Sequence, residues 1–187
     1  MSTVRNLSNP GLWLALAVVT LMGLWPIYTE SDAVREEIFT ILRSVVLASS
    51  LNILLGYTGY VSFGHIVFFG LGGYVGLYLI IEQEWMLWPA MAAGGAAAAV
   101  LALLLGQALL RLRGAYFALA TIGVNEAMRA FVNQFDLFGG ATGLSMNFRV
   151  YRDYGGARDA LWLTFYLVIG LALANVLLSY MVRTSKF

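Results

Sequence analysis

Gly56-Tyr57-Thr58-Gly59-Tyr60-Val61-Ser62-Phe63-Gly64-His65 is a polar, glycine-bearing interruption between two long apolar runs. It continues into Phe68-Phe69-Gly70-Leu71-Gly72-Gly73-Tyr74. Glycines at 56, 59 and 64 let the backbone leave a helix and run close to another element. The runs on either side are long and nearly free of charge, so the break has to be read as an event inside a membrane protein. Non-helical backbone at membrane depth is tolerated only where protein buries it or where it lines a watery cavity.

The composition of the 187 residues agrees: 60% are apolar and 11% charged, against about a quarter charged in soluble domains. Mean hydropathy is +0.79. The expected fold class is all-α, a polytopic membrane protein with about six transmembrane segments and the Gly-rich break between the second and third. One transmembrane domain is expected over residues 1–187. The chain has no cysteine, which excludes disulfides and thiolate metal sites.

Outward from the break, the expected spans cover residues 11–28, 38–55, 66–81, 87–110, 115–132 and 161–182. The first is longer than a signal-peptide core and is read as an uncleaved helix. Arg43 stands about one turn into the second span, within snorkelling reach of the interface. Ser49, Ser50 and Asn52 suit a helix–helix contact. Trp85 and Trp88 are interfacial anchors. Between spans five and six, residues 133–160 are long enough for a short surface helix or a hairpin. Six crossings put both termini on one side. Arg5, Arg111, Arg113, Arg183 and Lys186 fall there, against four arginines opposite; the positive-inside rule makes the terminal side cytoplasmic.

Broken apolar segments are where transporters place their substrate path, so Asn52, Gly56, Gly59, Ser62, Gly64 and His65 are the candidate pathway residues. The competing reading is an ordinary turn between two helices. Gly72 and Gly76, with Gly94 and Gly95 of the alanine-rich fourth span, are candidates for helix packing. His65, the single histidine, suits a hydrogen bond to backbone at the break better than a metal, since no second ligand set exists. Asn125, Glu126 and Arg129 form an intramembrane polar cluster in the fifth and most polar span. Glu126 and Arg129, three apart, share a helix face where they can pair, either as glue or as substrate contact. No catalytic residues, metal or cofactor are expected. The single lysine, Lys186, leaves no Walker A loop, and no G-x-S-x-G elbow occurs.

Three blocks carry a family resemblance. Leu51-Asn52-Ile53-Leu54-Leu55 leads into the break and on to Tyr74. Leu112-Arg113-Gly114-Ala115-Tyr116-Phe117-Ala118-Leu119-Ala120-Thr121 is followed by Glu126 and Arg129. The last is Gly139-Gly140-Ala141-Thr142-Gly143-Leu144-Ser145. In this order they resemble the branched-chain amino-acid ABC-importer permeases, M-type, over about residues 38–187; urea permeases are similar. The resemblance implies a subunit of the bacterial inner membrane, moving branched-chain amino acids. Its implied partners are a second homologous permease subunit, two cytoplasmic ATPase subunits, a periplasmic substrate-binding protein and the lipid bilayer, with no nucleic acid. It also implies that members continue beyond the point of Phe187 through a coupling segment and further spans, making this a truncated permease. A urea or short-amide permease and a non-transporting scaffold fragment are the alternative readings.

Overall fold

The computed structural model describes residues 10–146 and 148–184. Arg5 and Lys186, used above to orient the chain, lie outside the described residues. Among the described residues seven helices follow one another: α1 (Pro10–Thr29), α2 (Asp32–Thr58), α3 (His65–Glu82), α4 (Leu87–Leu109), α5 (Ala115–Gln134), α6 (Phe148–Arg152) and α7 (Ala157–Thr184). Two short 3-10 turns, Asp136–Phe138 and Gly140–Thr142, precede α6, so the long loop contains turns and one short helix rather than a hairpin. No strand occurs among the described residues.

Six helices are long, and five of them (α1, α2, α3, α4 and α7) are apolar enough to cross a membrane. The chain is a multi-pass membrane protein. The sixth long helix, α5, falls outside that set because Asn125, Glu126 and Arg129 dilute it. Both α2 and α7 begin earlier than their apolar runs, at Asp32 and Ala157. Asp32 and Asp159 stand in their first turns, where a carboxylate complements the exposed N–H groups and the helix dipole.

The helices form two compact units, residues 1–58 with 158–187 and residues 59–157. The first gathers α1, α2 and α7 around Val19, Leu42, Phe165 and Ala172. Gly23 of α1 lies under Ile169, whose Cδ1 would stand 2.9 Å from an added Cβ. Farther along, the Ser49 hydroxyl donates to Asn175 Oδ1 at 2.7 Å, a polar tie between α2 and α7. Ser49→Ala is expected to cost about 0.6 kcal/mol, the average for an interhelical hydrogen bond in a membrane protein; reversible unfolding in mixed micelles measures it, and an unchanged midpoint would deny the tie any weight.

The second unit is built on α3 and α4. Gly72 would place a Cβ 3.2 Å from the Gly94 carbonyl oxygen and 3.5 Å from Ala98 Cβ. A Cβ on Gly76 would stand 3.4 Å from the Ala90 carbonyl oxygen, and one on Gly94 would overlap the Gly72 carbonyl oxygen. These helices meet backbone to backbone, as small residues allow. Gly95 takes no part: nothing lies within 4 Å of its Cβ position, because one residue along a helix turns the side chain by about 100°. Between the two helices Glu84 adopts φ 51°, and the Trp85 N–H returns to the Leu79 carbonyl at 3.0 Å. The first N–H of α4 is satisfied from a distance, donating to the Tyr154 hydroxyl at 2.6 Å.

Candidate functional site

The helix α2 runs through Gly56 and stops at Thr58, so the non-helical strap is residues 59–64, shorter than the glycine spacing predicts. Gly59 makes the exit with φ +72°, a left-handed conformation that costs an L side chain about 1–2 kcal/mol. The space around it is open. Its glycine therefore answers a backbone requirement and no close approach.

Four residues later the strap is held down. The Phe63 N–H donates to Thr121 Oγ1 at 3.1 Å, and the Thr121 hydroxyl donates onward to the Ala118 carbonyl at 2.8 Å. Gly64 sits against the same residue: a Cβ there would stand 2.9 Å from the Thr121 carbonyl oxygen. Its own carbonyl accepts the Val67 N–H at 3.1 Å, opening α3. The Tyr60 ring lies 4.7 Å from that of Phe117. Phe117 and Thr121 are one turn apart and both buried, and Ser62 of the strap is buried too. The α5 N-terminus that presents this face is set by Gly114, at φ +57°.

These contacts join the first sequence block to the second. The third lies alongside: Phe138, just before it, sets its ring 5.5 Å from Tyr74. Gly139, at φ +78°, has no room for a Cβ against the Gly143 carbonyl. The second and third blocks and the part of the first from Gly59 onward thus come together within residues 59–157.

Of the candidate pathway residues, Gly59, Ser62, Gly64 and His65 belong to this unit, and Asn52 and Gly56 to the other. Asn52 and Gly56 are stacked one turn apart at the exposed end of α2, with Asn52 Oδ1 3.2 Å from a Cβ built at Gly56. His65 is half-buried as the first residue of α3, its ring 6.5 Å from Phe68. Among the described residues no three His, Asp or Glu side chains gather as metal ligands would.

Farther along α5, Asn125 is half-buried, and Glu126 and Arg129 are exposed. At 100° per residue, Asn125 follows Thr121 at about 40° around the helix, Arg129 at about 80° and Glu126 at about 140°. Glu126 and Arg129 form no ion pair with each other among the described residues. Their exposed neighbours include Leu119 and Ile122. A charge aimed at acyl chains is expensive, so this face of α5 demands protein or water.

Thr121 and Phe117 are the site residues that pattern reading passes over. A threonine inside a helix reads as bonded to its own preceding turn, and Thr121 does make that bond. What it accepts from Phe63 comes from 58 positions away. The signal was present only as a hydroxyl closing the second block.

A family model for the permease component of branched-chain amino acid transport systems matches residues 38–187. A curated relative, the high-affinity branched-chain amino acid transport system permease protein LivM of Escherichia coli (strain K12), is 30% identical over 131 residues, 70% of this chain and 31% of that protein. LivM of Salmonella typhimurium (strain LT2) is 28% identical over the same length and shares. The match thus spans about a third of these curated relatives. No solved structure matches. With the strap, its Phe63–Thr121 clasp and the glycine turns all inside the matched region, the chain belongs to the branched-chain amino acid transport system permease family.

Proposed function

We propose that the chain forms part of the permease subunit of an ABC importer that moves branched-chain amino acids across the bacterial inner membrane. Its partners in this reading are a second homologous permease, two ATPase subunits on the cytoplasmic side and a periplasmic binding protein. Both termini lie in the cytoplasm. The permease carries no catalytic step of its own, and work reaches it mechanically.

The observation that supports this most is the strap seated on Thr121, with an exposed Glu126 and Arg129 on the same helix. Irregular backbone held by a buried hydroxyl, next to charges that lipid would reject, is what the edge of a polar route through a bilayer requires. Substrate passes beside the strap, and Glu126 and Arg129 face that route or the partner permease.

Uptake of radiolabelled leucine tests the proposal, in cells whose sole importer contains the natural full-length permease. Glu126→Gln and Arg129→Gln are each expected to cut uptake about ten-fold or more, since each removes a charged contact, while surface amounts hold. The double change should assemble and still transport poorly. Restoration of transport in the double variant would make the two residues structural glue. Uptake of urea in place of leucine would move the substrate to the short-amide alternative.

A further inference from the structure

Away from the strap, in the unit of α1, α2 and α7, the starts of α2 and α7 border an open recess of about 140 Å³. Arg35, Glu36, Phe39, Leu161, Thr164 and Phe165 line it. Arg35 is a charged side chain only 7% exposed. Its guanidinium stands 5.2 Å from the centre of the Trp162 ring and donates to Asp32 Oδ1 at 2.8 Å. The other carboxylate oxygen of Asp32 is 3.7 Å from Arg158 Nε. Two arginines share one aspartate, so Asp32 alone does not neutralise both Arg35 and Arg158. Glu36, exposed on the next position of α2, joins no ion pair among the described residues. The recess therefore offers a cation and an anion side by side above apolar walls.

Its polarity is graded along the helices. Asp32, Arg35, Glu36 and Glu37 all fall in the first six residues of α2, and Arg158 and Asp159 in the first three of α7. Beyond them both helices are apolar enough to enter the membrane. The charged rim thus lies at headgroup level, and Phe39, Thr164 and Phe165 lie about one turn deeper, roughly 5 Å, where hydrocarbon begins. Trp162 at this height is placed as interfacial tryptophans are. A guanidinium has five donors, and Asp32 accepts from one of them; a phosphate, like a carboxylate, matches the guanidinium fork bidentately.

We infer that this recess is a binding site for a zwitterionic phospholipid bearing a primary amine. Its phosphate sits on Arg35, its ammonium on Glu36, and the upper part of an acyl chain lies against Phe39, Leu161 and Phe165. A headgroup that carries only the phosphate charge would give Glu36 no cation to pair with. A quaternary amine would fill the same place without the N–H donors that Glu36 accepts.

The test is lipid retention by native mass spectrometry. The purified chain is released from micelles holding equal amounts of palmitoyl-oleoyl phosphatidylethanolamine, phosphatidylcholine and phosphatidylglycerol. Wild type is expected to keep phosphatidylethanolamine over phosphatidylcholine by roughly two- to five-fold, the net worth of one hydrogen bond that a quaternary amine cannot donate. Glu36→Gln, which removes the charged acceptor, should bring that ratio towards one. Leu161→Trp, which fills the recess, should lower retention of all three. Should that variant unfold, Glu36→Gln carries the test alone, its side chain being exposed. Equal retention of the three lipids, a preference for phosphatidylglycerol, or a Glu36→Gln ratio matching wild type would overturn the inference. So would displacement of the lipid by millimolar free leucine, which would make the recess an amino-acid site.

Discussion

Gly94→Ala is expected to separate α3 from α4 and to leave the purified chain unfolded or aggregated at temperatures where wild type is monodisperse. The added methyl would overlap the Gly72 carbonyl oxygen, with the Gly76 backbone nitrogen 3.4 Å away. Neither obstacle is a side chain that can change rotamer. Relief requires the two backbones to move apart, which forfeits the contacts of Gly72 and Gly76 together. Overpacking of a tight core costs about 1–3 kcal/mol, and rigid backbone on both sides puts this site at the upper end. Gly95→Ala is the control one residue away. Its methyl enters open space, and alanine gains up to about 1 kcal/mol over glycine in a helix. Thermal unfolding in detergent, followed by size exclusion, should place Gly94→Ala well below wild type and Gly95→Ala at or above it. Equal midpoints for the two variants would mean that the close approach carries no stability.

The second large effect is expected at the clasp. Thr121→Val keeps the shape of the side chain but removes the acceptor of the part-buried Phe63 N–H bond, a loss at the lower end of the about 1–3 kcal/mol for an unpaired buried donor. The strap should then leave its seat, and leucine uptake by the full-length permease should fall about ten-fold, in step with that cost. Thr121→Ser retains the hydroxyl and should transport nearly as wild type does. Gly64→Ala attacks the same seat from the other side, through the Thr121 carbonyl. Gly59→Ala acts by a different route: no atom obstructs it, and only the left-handed backbone resists. It should therefore be the mildest of the three strap changes. Thr121→Val with wild-type uptake at normal membrane levels would remove the clasp from the transport mechanism.

Much of the helical framework was legible because apolar runs long enough to cross a bilayer have few other uses. The expected spans at 11–28 and 87–110 lie within a residue of α1 and α4 at each end. Where the ends moved, charge or glycine was misjudged. Apolarity starts α2 near Ile38, yet the helix begins six residues earlier because acidic side chains are welcome in a first turn. The strap was drawn from Gly56 because glycine permits a break; only Gly59 takes one. The small-residue stripe gave Gly72, Gly76 and Gly94 their place but could not separate Gly94 from Gly95, since composition carries no rotational phase. The spacing of Glu126 and Arg129 allowed a pair that the structure does not form. Above all, the clasp lay beyond reach of periodicity, because a hydrogen bond between positions 63 and 121 is a fact of tertiary structure.

The seam between α3 and α4 has a kinetic consequence. Burying a large side chain freezes rotamers, at a cost that delays any contact depending on it. Glycine and alanine have no rotamers to freeze. The link between the two helices is also short, residues 83–86, so closing it sacrifices little chain entropy. A contact that is both local and free of side-chain ordering should form before those that bridge distant segments. The α3–α4 hairpin is thus placed to be the nucleus of its unit, already assembled when α5 arrives with the hydroxyl that pins the strap.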